Sequence, residues 1–210
     1  MIPTREEAWT ILKKYNDSEA LLRHGLTVEG CMRHFAELAG EDPELWGVVG
    51  LLHDVDYEKY PDQHCKKAQE LLAEEGVDPL VIRAVASHGW GICCDIEPQS
   101  RMEKTLYAID ELTGLITAAA IMRPSKSVMD LEQKSVKKKY KAKSFAAGVN
   151  REVIEKGAER LGTTVDELIV GCIDGMRECA AAIGLDGSRL DIVLMQMVNL
   201  MRDGKPVRMS

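Results

Sequence analysis

The chain has 210 residues, of which 45% are hydrophobic and 29% charged, as is ordinary for a soluble globular protein with one sizeable core. Its net charge of −7 argues against general nucleic-acid binding, which needs a basic surface. We expect no signal peptide and no membrane span, because the sequence has neither an apolar N-terminal run nor 18 consecutive apolar residues. Six cysteines without a C-x-x-C pair fit a reducing cytoplasm.

The spacing of apolar residues predicts a succession of helices, and the low aromatic content of 5% also favours helices over strands. In chain order, the predicted helices cover residues 4–15, 18–40, 43–54, 62–75, 79–88, 101–122, 150–161, 164–184 and 188–202. Gly40 is a typical helix end, Pro43 and Pro79 are typical helix starts, and Thr164 with Glu167 forms a capping box.

Residues 123–149 differ from the rest of the chain in charge. They contain eight Lys or Arg against two acids, a net charge of +6, while the remainder carries −13. This basic segment is either a solvated helix face or a lid that binds phosphate. The lid hypothesis assigns substrate binding to Arg123 and Lys126, which follow the helix 101–122 directly.

Histidine positions are informative, because the chain has only five. His24 is predicted to face the core, since Val28, Cys31, Phe35 and Leu38 follow it at helical spacing. His34 points about 80° away from that direction and is predicted to lie on the surface. A lone buried histidine is more often satisfied by a backbone carbonyl than by a metal, so His24 needs partners to count as a ligand.

Two carboxylates supply such partners. Asp110 lies on an otherwise apolar helix, and His53-Asp54 ends another apolar helix. A buried carboxylate is costly unless a cation or hydrogen bonds receive it. Imidazole and carboxylate together favour Mn, Fe, Co, Ni or Zn over Ca. The sequence therefore predicts a divalent transition-metal site.

Three strings around these residues resemble the signature helices of the HD-domain (HDIG-type) metal-dependent phosphohydrolase superfamily. The strings are RHGLTV (23–28), LLHDVD (51–56) and AIDEL (108–112), and the 29-residue interval from His24 to His53 is also typical of it. The resemblance covers residues 18–122. The stretches RPSKS (123–127) and KSFAAGV (143–149) resemble an uncharacterised bacterial branch of that superfamily.

The resemblance implies a binuclear site that activates water for attack on phosphorus, with Asp54 shared by both metals. It implies that the metal ligands are His24, His53, Asp54, His64, His88 and Asp110. Asp54 and Asp110 are the implied catalytic residues. The chain departs from characterised branches after His88, where Gly89 replaces a second histidine, so the resemblance implies no particular substrate.

The cysteines fall into two groups. Cys31, Cys172 and Cys179 follow apolar helical spacing and are predicted to be core residues. Cys93 and Cys94 lie in a predicted loop, where they are either ordinary thiols or ligands for a soft metal.

Together these features predict an all-α HD-domain helical bundle with a C-terminal helical extension. The predicted HD-type domain covers 1–187, with a core at 18–122, the basic segment 123–149 and helices within 150–184, and the extension covers 188–210. The expected function is cytoplasmic hydrolysis of a small phosphate ester, such as a nucleotide, with two metal ions. Alternatives are a non-catalytic regulatory or ligand-sensing module and a di-iron oxygenase. Self-association through the C-terminal helix stays open.

Overall fold

The computed structural model describes residues 1–182, 201–202 and 205–206. In this part of the chain, nine α-helices and one short 3-10 helix account for nearly all regular structure, which confirms the predicted all-α class. The helices are α1 (Arg5–Tyr15), α2 (Glu19–Ala39), α3 (Pro43–Leu52), the 3-10 helix (Pro61–Gln63), α4 (Lys66–Glu74), α5 (Pro79–Ser87), α6 (Arg101–Ile121), α7 (Gln133–Lys141), α8 (Arg151–Leu161) and α9 (Val165–Ala182). Two-residue strands β1 (Met201–Arg202) and β2 (Lys205–Pro206) pair antiparallel. Of the described helices, none is sufficiently long and apolar for a transmembrane span.

Capping residues define the helix boundaries largely as predicted. Gly40 ends α2 in the left-handed conformation, with φ of 69°. The backbone N–H of Glu167 donates to the Thr164 hydroxyl, and a Glu167 carboxylate oxygen accepts from the Thr164 backbone, so the predicted capping box opens α9. The sequence thus specifies these boundaries through local hydrogen bonds.

The hydrophobic core surrounds α2 and α6. α2 packs against α3, α6 and α9, and α6 packs in turn against α8. Each large core side chain stabilises the fold by about 1.5–3 kcal/mol through burial. The fully buried residues include Val28, Met32, Trp46, Leu51, Leu52, Leu106, Ile109, Leu112, Leu115 and Ile116.

Glycine permits the close approach of α2 and α3 that builds the site. A Cβ added at Gly50 would lie 3.0 Å from the Val28 carbonyl oxygen, and one at Gly25 would lie 3.2 Å from the Leu51 carbonyl oxygen. Both distances are tighter than ordinary van der Waals contact. Gly25 directly follows His24, so the close crossing brings this histidine towards the end of α3.

Three expectations about the helices are corrected. The predicted helix 62–75 is interrupted at His64 and Cys65, because Cys65 adopts φ of 63° and cannot continue a helix. Leu38 was expected to face the core but is 66% exposed near the end of α2. The predicted helix 188–202 lies outside the described residues apart from 201 and 202, which belong to β1 rather than a helix.

Candidate metal centre

The six predicted ligands come from five places in the chain and converge on one centre. α2 and α6 each contribute a residue from their length, while the others follow helix ends or the 3-10 helix. These residues are His24 on α2, His53 and Asp54 after α3, His64 after the 3-10 helix, His88 after α5 and Asp110 on α6. The break at Cys65 matters here, because it turns the chain after His64 into α4.

Four of these residues form what we call the first half-site: His24, His53, Asp54 and Asp110. The Nε2 atom of His24 is 3.0 Å from Asp110 Oδ1 and 3.1 Å from His53 Nε2. Asp54 Oδ2 is 3.3 Å from His53 Nε2 and 3.7 Å from His24 Nε2. Four donor atoms from three segments of the bundle therefore face a common point, as a metal requires.

The second half-site consists of His64, His88 and the same Asp54. The two imidazole Nε2 atoms are 3.0 Å apart. Asp54 Oδ1 is 3.5 Å from His64 Nε2 and 3.7 Å from His88 Nε2. Because Asp54 presents Oδ2 to the first half-site and Oδ1 to the second, its carboxylate lies between them in the position of a bridging ligand.

Hydrogen bonds at Nδ1 orient the imidazoles of the second half-site. His88 Nδ1 is 2.6 Å from the Val85 carbonyl oxygen, and His64 Nδ1 is 2.8 Å from Asp56 Oδ1. Since both oxygens only accept, each Nδ1 is assigned the proton and each neutral ring keeps its lone pair on Nε2. Two lone pairs facing each other at 3.0 Å repel unless a proton or a cation lies between them. The donor set therefore fits a cation.

His53 shows the same arrangement in the first half-site. Its Nδ1 is 2.7 Å from the Gly50 carbonyl oxygen, three residues earlier in α3. Such partners fix the orientation of a metal-binding histidine and raise its basicity. Asp56, which orients His64, also accepts from the backbone N–H of Ala68 through its second oxygen, at 2.8 Å. The only signal for this role in the sequence is the D-x-D spacing after His53, and it did not lead to a prediction for Asp56.

Burial and charge set the proton affinities of the metal-free centre. Burial opposes protonation of His53, but Asp54 and Asp110 outweigh it and raise its pKa well above the usual value. Burial opposes ionisation of Asp110, but the charge on His53 and the hydrogen bonds to His24 and His53 together outweigh it and lower the pKa of Asp110 well below its usual value. Burial, with positive charge on His53 and His64, lowers the pKa of His88 to about 4. In the absence of metal, a proton on His53 supplies the compensating charge.

The rim of the centre contains residues that the sequence analysis did not identify. Tyr57 is 41% exposed, and its ring meets that of His64 edge to face, with ring centroids 5.0 Å apart. Burial and the adjacent Asp110 raise the pKa of Glu111 to about 7. Glu111 also accepts from the backbone N–H of Asn150 at 3.2 Å, which joins the loop before α8 to the rim.

The two predicted substrate-binding residues follow the far end of α6. At about 1.5 Å per residue, Ile121 is about 16 Å along the helix from Asp110. The Arg123 guanidinium donates to both oxygens of Asp130, at 3.1 and 2.8 Å. Lys126 has a positive φ of 50° in the turn that follows. Their role in binding substrate stays a prediction.

The remaining histidine lies away from the centre but is not simply a surface residue. His34 Nδ1 is 2.9 Å from Glu178 Oε2 on α9, and its side chain is 13% exposed. The prediction that it faces away from the ligands agrees with this position. His34 is less exposed than predicted, because α9 covers this side of α2.

The three cysteines predicted to be core residues are not all buried. Cys31 and Cys172 are buried as expected, while Cys179 is partly exposed. Cys93 lies in the loop after α5, and its sulfur is 3.3 Å from that of Cys65. Cys65, which adjoins His64, was not identified by the sequence analysis, because only the folded chain brings it to Cys93.

Comparison with known protein families matches residues 21–115 to the family described as HD domain. The curated proteins that resemble the chain include Ribonuclease Y of Bacillus thuringiensis (strain Al Hakam) and of Bacillus mycoides (strain KBAB4). Each is 30% identical over 149 residues, which is 67% of this chain and 28% of the relative. The chain thus matches little more than a quarter of these relatives. No solved structure matches it significantly.

Proposed function

Because residues 21–115 belong to the HD domain family, we propose that the chain hydrolyses a phosphate ester of a nucleotide or related small metabolite, using two divalent cations. One observation carries the proposal: the two oxygens of Asp54 face two separate sets of imidazole Nε2 atoms. When bound, cations in such a site lower the pKa of water and balance the charge of the phosphoryl group.

The chain's own residues contribute position and orientation. Helices α2 and α6 hold His24 and Asp110 on rigid elements, so the first half-site is arranged before substrate arrives. Asp110 directs Oδ1 to the imidazoles and its side chain is 22% exposed, which leaves its other oxygen to orient the attacking water. Asp54 fixes the separation of the half-sites. We therefore assign Asp54 and Asp110 the catalytic roles.

The aromatic rim supports a nucleotide over a simple sugar phosphate. The exposed ring of Tyr57 adjoins His64, and a nucleobase can stack on such a ring. Tyr57→Phe should retain this surface, whereas Tyr57→Ser should raise KM for a nucleotide and leave KM for ribose 5-phosphate, which has no aromatic ring, unchanged. Equal effects on both substrates would show that the ring does not contact the base.

The test of hydrolysis begins with protein purified anaerobically and loaded with Mn, Fe, Co, Ni or Zn. Release of phosphate or p-nitrophenol is measured from nucleotides, a generic monoester and a generic diester. His53→Ala should abolish turnover and lower the number of bound ions by one, because His53 belongs to the first half-site. The matched control is His34→Ala, which removes a histidine from the same protein outside both half-sites. Turnover that persists in His53→Ala would refute the proposal.

A diester of RNA is the second candidate, because the curated relatives are named ribonucleases. The overall charge of −7 disfavours it, although the basic segment provides a local positive surface. A short single-stranded RNA in the same screen separates the two candidates. Iron content with oxygen consumption, measured on the same preparations, distinguishes an oxygenase from either hydrolase.

A further inference from the structure

The thiols of Cys65 and Cys93 lie beside the second half-site and close to each other. Their sulfur atoms are 3.3 Å apart, and the Cys65 sulfur is 3.9 Å from each ring nitrogen of His88. The ligand atoms of His64, Cys65 and His88 all lie within 4.8 Å of one another. Cys65 therefore directly adjoins the second half-site.

The backbone holds both cysteines in place. Cys65 has φ of 63° and ψ of −32°, a combination that non-glycine residues rarely adopt. The backbone N–H groups of Ile92, Cys93 and Cys94 all donate to the Gly89 carbonyl oxygen, at 3.0 to 3.2 Å. Strained backbone next to a functional centre is retained where it positions a particular side chain. Here the strained residue sets the position of the Cys65 thiol and of the adjoining His64.

Gly89 provides the space in which the thiols meet. A Cβ added at Gly89 would collide with the sulfur atoms of both Cys65 and Cys93. Gly89 directly follows His88, and Cys65 directly follows His64. His64 is thus bonded directly to one of the two cysteines, and His88 is bonded directly to the glycine that both thiols contact.

We propose that Cys65 and Cys93 form a reversible disulfide by exchange with a low-molecular-weight disulfide, and that this bond disrupts the second half-site. Cys93 is partly exposed while Cys65 is fully buried, so Cys93 reacts first. Its thiolate attacks one sulfur of the small disulfide and displaces a thiol. Cys65 then attacks the Cys93 sulfur and displaces the second thiol. Two protein thiols and one small disulfide become one protein disulfide and two small thiols.

The bond changes the position of a ligand. A disulfide requires sulfur atoms about 2.05 Å apart, so the pair must close by more than 1 Å from 3.3 Å. Metal sites tolerate deviations of about 0.2 Å in ligand distance. A displacement of Cys65 moves the adjoining His64, whose Nδ1 is held by Asp56. This consequence rests on the proposed metal centre, whereas formation of the disulfide does not.

The test uses the full chain, metal-free, incubated with oxidised glutathione and digested with trypsin under non-reducing conditions. We expect fragment 60–66 linked to fragment 84–101, reversed by dithiothreitol. Cys93 and Cys94 share the second fragment, so the assignment uses variants. Cys94→Ser should retain the link, and Cys93→Ser should lose it. A glutathione adduct on Cys93 without the link, or a link that persists in Cys93→Ser, would overturn the proposal.

Metal content provides the second measurement. Oxidised wild-type protein, dialysed against Mn or Zn, should bind one ion fewer per chain than reduced protein. Oxidised Cys93→Ser should bind as many as reduced wild type. A linked protein with a full complement of metal would refute the effect on the half-site. If the reduced protein already binds a single ion, the binuclear proposal fails separately, while the peptide map still tests the disulfide.

Discussion

The number of metal ions can be measured from the way protein stability depends on free metal concentration. The perturbation is the double variant His64→Ala/His88→Ala, which removes both imidazoles of the second half-site and leaves the first intact. Above the dissociation constant, each tenfold rise in free metal stabilises the folded state by about 1.4 kcal/mol per ion bound. The slope of unfolding free energy against the logarithm of free metal concentration therefore gives the number of bound ions.

The structure predicts the size of the difference. With two half-sites, wild-type protein should gain about 2.7 kcal/mol per tenfold rise in free metal, and the double variant about 1.4 kcal/mol. For a chain of this length, these gains correspond to about 5–11 °C and about 3–6 °C in Tm. Asp54→Asn should abolish the dependence, because Asp54 contributes an oxygen to each half-site.

The assay is thermal or denaturant unfolding in a metal buffer over at least two decades of free Mn or Zn. His34→Ala serves as the control and should show the wild-type slope, since His34 pairs with Glu178 instead. If the free energy of unfolding of wild-type protein rises by only about 1.4 kcal/mol per tenfold rise in free metal, and the double variant shows the same rise, the binuclear centre is refuted. If Asp54→Asn still gains about 2.7 kcal/mol per tenfold rise in free metal, the bridging position of this carboxylate is refuted.

Other predictions follow from proton affinity and charge. His88 has a lowered pKa of about 4, so in metal-free protein its neutral form adds stability above pH 6.5 that is lost as pH falls towards 4. The stability difference between wild type and His88→Asn should shrink by roughly 3 kcal/mol over that range, and a pH-independent difference would contradict this. If Arg123 and Lys126 bind substrate, Arg123→Ala and Lys126→Ala should each lower kcat/KM without loss of metal. Unchanged kinetics in both variants would show that the two side chains serve only the fold. Neutralising Lys137–Lys139 should slow substrate capture chiefly at low ionic strength, as stopped-flow measurements at two salt concentrations can check.

The sequence predicts the first half-site because its residues carry a burial signal. Asp110 stands out on an apolar helix, and His24 precedes apolar residues at helical spacing. Both signals depend on the 3.6-residue period of a helix, which is readable from one segment at a time. The structure places these two side chains 3.0 Å apart, as expected if both face the same part of the core.

The second half-site and its thiols were harder to predict, for a physical reason. His64 occupies a break between helices that depends on the unusual φ of Cys65, and no sequence pattern specifies a positive φ at a cysteine. The contact between Cys65 and Cys93 joins residues 28 apart through the packing of α4 on α5. Cys93 was noticed as one of a vicinal pair, but its partner in the fold is the distant cysteine.

The basic segment illustrates how a charge pattern can be noticed in the sequence while its geometry is not. Adjacency in sequence suggested that Arg123 returns to the metals, but the rest of α6 separates it from Asp110 by about 16 Å along the axis. The other end of the segment has the contact: Asn150 donates to Glu111, which adjoins Asp110. Arg151 fixes the preceding loop by donating to the carbonyl oxygens of Tyr140 and Phe145 at 2.8 and 2.6 Å. Any influence of this segment on the centre therefore has a shorter structural route through the loop before α8 than through the turn after α6.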